Sequence, residues 1–88
     1  MKVIISPKAE KQLKKLAKIN QIAVVKKIQQ LNLNQKNIQP EKLKGFSNIF
    51  RIRVGDIRIV YKQFSNKIYL ILISHRREVY KLVQRLFN

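Results

Sequence analysis

The chain has 88 residues, with 20 Lys or Arg against four Asp or Glu, a formal net charge of +16, and no cysteine. That length allows a single domain over residues 1–88, and the missing thiols exclude disulfides, thiolate zinc sites and a cysteine nucleophile. Self-repulsion on this scale destabilises a small fold and draws it to polyanions, so nucleic acid, ribosome or an acidic protein are the expected partners. The longest apolar run, residues 68–73, is too short to span a membrane, and MKVIISPKAEK carries no signal-peptide pattern. No membrane partner and a cytoplasmic location are therefore expected.

Residues 2–5, KVII, read as a short strand. Ser6-Pro7 is a helix-start pair, an N-cap followed by proline at the first helical position. Ala9, Leu13, Leu16 and Ala17 then share one helical face. Asn20 is a candidate cap for a second helix, whose apolar stripe is Val24, Ile28 and Leu31. So short a join makes the two helices an antiparallel hairpin. Residues 32–41, rich in Asn and Gln and containing Pro40, read as loop.

The second half is strand-like. Phe50, Ile52 and Val54 alternate with Arg51 and Arg53, and Ile57, Ile59 and Tyr61 alternate with Arg58, Val60 and Lys62. Gly55-Asp56 between them predicts a tight β-hairpin. Ser65-Asn66 turns the chain into a third strand over 67–74, apolar on both faces and so expected to be central. A short helix over 78–87 ends the chain. The predicted class is α+β, in the order β-α-α-β-β-β-α: an N-terminal strand, a helical hairpin, a three-stranded antiparallel meander and a C-terminal helix, with the hairpin covering the sheet.

All six arginines lie at or beyond residue 51, whereas the first 47 residues carry lysine alone. Arginine offers a rigid fork for phosphate. In the hairpin, Arg53 faces Arg58 with Cβ atoms roughly 5 Å apart, a like-charge pair that costs stability. Arg51 and Lys62 fall on the same side, so the sheet is expected to be apolar on one face and cationic on the other, suited to a phosphodiester backbone. Counting by twos along the third strand puts His75 on the arginine side, where Arg76, Arg77 and Tyr80 can join it. A solvated outer face is the plainer reading, but such a face normally mixes signs. Glu10, Glu41, Asp56 and Glu78 are scattered without metal-ligand spacing, and no glycine-rich phosphate loop is present, so neither metal nor cofactor is expected.

Taken together, ISPKAEKQLKKL, KLKG at residues 42–45, FRIRVGDIRIVY at residues 50–61 and HRREVY at residues 75–80 resemble toxins of the RelE/ParE superfamily, the toxin halves of type II toxin–antitoxin pairs. The resemblance implies a RelE-like messenger-RNA interferase: a metal-independent endoribonuclease in the ribosomal A site, in which the ribose 2′-hydroxyl attacks the neighbouring phosphate. By motif position it assigns phosphate binding and stabilisation to Arg51, Arg53, Arg58 and Arg76 and a nucleophile-aligning role to Tyr80.

The expected catalytic set is thus Arg53, Arg58, His75, Arg76 and Tyr80, with Arg51, Lys62 and Arg77 as phosphate contacts. Where RelE has lysines on the corresponding strand, this chain has Arg51 and Arg53, and arginine does not deprotonate. The general base is then His75 or Tyr80. The resemblance equally covers ParE-like toxins, which poison DNA gyrase without cutting RNA. Either reading implies a cognate acidic antitoxin that folds over the basic surface.

Overall fold

Ser6 caps helix α1 (Pro7–Lys15), its Oγ accepting from the Ala9 amide at 3.0 Å with Pro7 at the first helical position. Helix α2 (Lys18–Asn32) follows almost at once. It begins two residues before Asn20, behind Ala17, which makes no side-chain cap bond. Gln21 does the joining instead: its Nε2 donates to the carbonyls of Lys14 and Leu16, both at 3.0 Å, satisfying the open end of α1. Val24 and Leu31 are buried and Ile28 packs beside them, as the stripe predicts.

The computed structural model describes residues 2–33 and 38–87. Its strands are β1 (Lys2–Ile5), β2 (Glu41–Lys42), β3 (Ile49–Val54), β4 (Ile57–Phe64) and β5 (Lys67–His75), and helix α3 (Arg76–Phe87) ends it. One sheet holds all five strands in the order β1-β5-β4-β3-β2. The antiparallel meander β3-β4-β5 is as expected; β5 is an interior strand, between β1 and β4, but the middle place belongs to β4. β1 joins it parallel to β5, so the sheet is mixed. Of the predicted loop, residues 34–37 lie outside the described residues. Its last residue, Glu41, opens the edge strand β2, which pairs with β3. Helix α3 starts at Arg76, two residues earlier than the sequence suggests.

The sheet buries side chains on both faces. On one, Ile52, Ile57, Ile59, Tyr61, Ile68, Leu70 and Ile73 pack against α1 and α2. On the other, Ile49, Val60 and Leu72 meet Val79 of α3. The second face is therefore not cationic throughout, because α3 covers much of it. The arginines gather at the hairpin end of that face.

A β-bulge decides which side chains reach that end. Val60 pairs with Leu72, but Tyr61 pairs with Leu70, leaving Ile71 as an extra residue on β5. Ser6 holds this bulge: its amide donates to Leu70 O at 3.0 Å and its Oγ donates to Ile71 O at 3.1 Å.

Candidate functional site

Gly55, with φ +59°, lets the β3–β4 hairpin close in two residues. That register sets Arg53 directly across from Arg58, and Arg51 across from Val60. β5 runs into α3 without a loop, and the Arg76 amide donates to Asp56 O at 2.8 Å, tying the helix start to the hairpin tip. Arg76 Nε also lies 3.9 Å from Asp56 Oδ1.

The members of this corner differ in exposure. Arg58 is buried at 8% exposure, its guanidinium donating to Gly55 O at 2.8 Å and Ile57 O at 3.1 Å. Burial, then the charges of Arg53, Arg51 and Arg76, push its pKa below the ordinary arginine value, with Asp56 opposing. Arg51 pairs with the Glu41 carboxylate and lies over the Tyr80 ring, whose centroid is 5.4 Å from its guanidinium carbon. Its Nε is buried without a hydrogen-bond partner. Arg53 is largely exposed and reaches Glu41 Oε1 at 3.5 Å. Hydrogen bonding to Arg51 and that residue's charge hold the Glu41 carboxyl below the usual carboxylate range, with desolvation opposing and Arg53 and Arg58 adding to the shift.

Arg51, Arg53, Arg58, Arg76 and Tyr80 thus come together, and three other expected residues do not join them. His75 pairs with Ile57, whereas Ser74 pairs with Arg58. The extra residue at Ile71 reverses the alternation, so His75 falls on the face opposite the arginines. There it lines a groove with Lys8, Lys11, Lys15 and Glu78. Lys62 shares the arginine face but sits four residues along β4 from Arg58, about 13 Å at strand rise, with its Nζ 5.7 Å from the Phe64 ring centroid. Arg77 is exposed in the first turn of α3.

The family model for the ParE toxin of type II toxin–antitoxin systems matches residues 3–80. The chain belongs to the ParE toxin family. Solved structures of similar shape share its fold. An arginine-to-alanine double mutant of Escherichia coli RelE in the free state superposes with TM-score 0.78 at 20% identity, over 99% of this chain and 97% of that one. The RelB–RelE antitoxin–toxin complex from Methanococcus jannaschii gives 0.74 at 23%, over 90% and 96%. The YoeB dimer from Staphylococcus aureus gives 0.72 at 20%, over 86% and 97%. Identities this low carry the fold. No curated protein matches the sequence.

In this ParE-family toxin the residue that sequence reasoning missed is Glu41. The sequence places Glu41 at the end of a loop as one of four scattered acids, yet β2 sets it opposite Arg51. Four guanidiniums therefore face two carboxylates, and the corner keeps a positive surplus. It can bind a phosphate dianion or diester through preorganised charge-assisted bonds. It also holds the Glu41 carboxylate, which the neighbouring guanidiniums keep ionised. Among the described residues no cluster of His, Asp or Glu suits a metal ion, and no helix is long and apolar enough to cross a membrane.

Proposed function

We propose that this toxin is a metal-independent endoribonuclease that cuts messenger RNA in the ribosomal A site, in the cytoplasm. The observation that carries this reading is the convergence of Arg51, Arg53, Arg58 and Arg76 beside the ionised Glu41 carboxylate. In such a cut the ribose 2′-hydroxyl attacks the adjacent phosphorus, a 2′,3′-cyclic phosphate forms and the 5′-oxygen leaves. The added charge on the phosphoryl oxygens meets guanidiniums already aimed at it, as in an oxyanion hole. Guanidinium cannot accept the 2′-hydroxyl proton. His75 is on the other face of the sheet, so the proton goes to Glu41. Tyr80, whose ring packs on the Arg51 guanidinium, donates its hydroxyl proton to the leaving 5′-oxygen, and the proton held by Glu41 restores it. Lys62 and Arg77 act as outer contacts to the RNA backbone.

Cleavage mapping of a defined messenger in cell-free translation, with and without ribosomes, tests the reading. Cuts that appear only during translation and vanish in Arg53→Ala are expected. Arg53 is the better probe than Arg58, because Arg58 also holds the hairpin tip. An intact messenger would overturn it.

The ParE family match supports a second reading, in which the same basic face binds DNA gyrase and no RNA is cut. Supercoiling inhibited at near-stoichiometric toxin, with RNA untouched, would establish that one. Under both readings the partner in the resting cell is an acidic antitoxin, in keeping with the antitoxin–toxin complexes among the similar structures.

A further inference from the structure

β1 covers only part of the β5 edge. Their ladder runs from Lys2 paired with Lys67 to Ile5 paired with Leu70, and β5 continues to His75. Among the described residues no strand pairs with that side of β5 beyond Leu70. Side chains stand in for one: Ser6 Oγ donates to Ile71 O at 3.1 Å, and the Ile73 amide donates to Gln12 Oε1 at 2.9 Å. Backbone groups of successive strand residues point to alternate sides. The Arg76 amide goes the other way, to Asp56 O at the hairpin tip, so the His75 amide turns as that of Ile73 does. This open stretch lies in a groove of about 480 Å³, with α1 on one face of the sheet and α3 on the other. Lys8, Lys11 and Lys15 form the α1 lip, Leu16 and Leu82 add apolar surface, and Glu78 is the one acid of the lining.

We propose that the β5 edge from Ile73 to His75 is a strand-addition site for an acidic, extended segment of a partner protein, with Gln12 as its displaceable plug. The inference stands whichever reading of the arginine corner holds. A segment that adds to a sheet edge takes its affinity from main-chain hydrogen bonds and its specificity from alternate side chains. Side chains of an added strand point in turn to the two faces. Acidic ones therefore meet Lys8, Lys11 and Lys15 on the α1 face, and apolar ones meet Leu82 on the α3 face. Displacing Gln12 exchanges one neutral acceptor on the Ile73 amide for another, so the plug keeps the empty edge satisfied at little cost to an entrant. A second copy of this chain is repelled, since it carries the same charge of +16. A nucleic-acid strand would answer the lysines but brings no apolar side chain for Leu82 and no peptide ladder for the edge.

The test uses the full chain and a blocked heptapeptide that alternates glutamate with valine, beginning and ending on glutamate. Binding is followed by NMR at one fixed salt concentration. The peptide is expected to shift the Ile73 and His75 amides and to slow their exchange. The same peptide N-methylated throughout cannot complete a ladder and should bind about fivefold or more weakly. Gln12→Ala removes the plug and should tighten the unmethylated peptide about two- to tenfold. Lys11→Glu with Lys15→Glu reverses the lip and should weaken it about fivefold or more. That pair lies on exposed positions and keeps the test valid should Gln12→Ala disturb the fold. Unmoved Ile73 and His75 amides, equal binding of the N-methylated peptide, unchanged affinity in Gln12→Ala, or indifference to the lysine reversal would overturn the proposal. An oligouridylate with four phosphates, matched in number to the four peptide carboxylates, is the competing occupant. If it shifts the same two amides as strongly and displaces the peptide, the groove is a nucleic-acid site and the inference fails. Since neither cleavage nor supercoiling is read, failure here is distinguishable from failure of either reading of the arginine corner.

Discussion

Glu41 lies directly across the β2–β3 ladder from Arg51, and its carboxylate pairs with that guanidinium while reaching Arg53 at 3.5 Å. An edge strand of two residues thus delivers, among the described residues, the carboxylate that contacts both arginines of β3. On the proposed reading, phosphate at these arginines would compete with Glu41 for the same donors, and substrate binding would thereby free the carboxylate to accept a proton.

Glu41→Gln separates binding from proton transfer. Loss of a general base lowers cleavage by about 10²–10⁴-fold, while RNA affinity is expected to hold or rise because two guanidiniums lose a competing charge. Single-turnover cleavage beside equilibrium RNA binding checks both. The same variant has a pH signature. Arg51 depresses the folded-state pKa of Glu41, so the pair's contribution to stability is present above the unfolded value of about 4.3 and is lost as pH falls through the folded one. Urea midpoints should fall more between pH 7 and pH 3 for the wild type than for Glu41→Gln. Identical acid dependence would mean that the pair contributes nothing in solution.

Arg53 and Arg58 face each other, yet their substitutions should act very unequally on folding. Arg58 is buried and donates to two backbone carbonyls at the hairpin tip. Its removal takes away both bonds, at about 1–3 kcal/mol in all. Arg53 is exposed, and its loss relieves a like-charge cross-strand pair at the expense of a weak ion pair. Arg53→Ala is expected within about 0.5 kcal/mol of wild type. Denaturant melts of the two variants check this, and an equal loss from both would contradict the assigned roles.

Much of the fold was legible because its signals are local. Ser6-Pro7 starts α1, Gly55-Asp56 turns the β3–β4 hairpin, and strict alternation from Phe50 to Tyr61 fixes which side chains share a face. The site was legible only in part. Arg51, Arg53 and Arg58 follow from that alternation, but Glu41 does not, since two residues have no periodicity and their strand exists through pairing with β3. His75 was misplaced for a similar reason. The run Ile68–Ile73 is apolar throughout, so the sequence carries no trace of the bulge at Ile71 that flips every later residue to the other face. The cover supplied by α3 depends on where an amphipathic helix docks, which its own pattern does not specify.

Ser6 links the start of α1 to that bulge. Its Oγ accepts from Ala9 N and donates to Ile71 O, and the residue is buried. Ser6→Ala removes a cap of about 1 kcal/mol and leaves a buried carbonyl on the bulge without its partner, about 1–3 kcal/mol more. A stability loss of about 2–4 kcal/mol is expected, with faster amide exchange at Leu70 to Ile73 as the bulge loosens. A loss confined to α1 amides would show that the bulge stands without Ser6.

Tyr61 is expected to make the fold sensitive to alkali. It is 1% exposed, stacked on Phe50 with ring centroids 5.5 Å apart, and burial pushes its pKa up to about 12. A raised folded-state value favours the neutral phenol, so this contribution is fully present below the unfolded value of about 10 and is lost as pH rises toward about 12. A gap of about two units corresponds to about 2–3 kcal/mol lost across that window. Tyr61→Phe keeps the ring and its packing while removing the ionisable group, so its stability should stay flatter above pH 10 than that of the wild type. Phenolate absorbance during the titration identifies the group: in the wild type one tyrosine should ionise together with unfolding, and in Tyr61→Phe that coupled step should be absent.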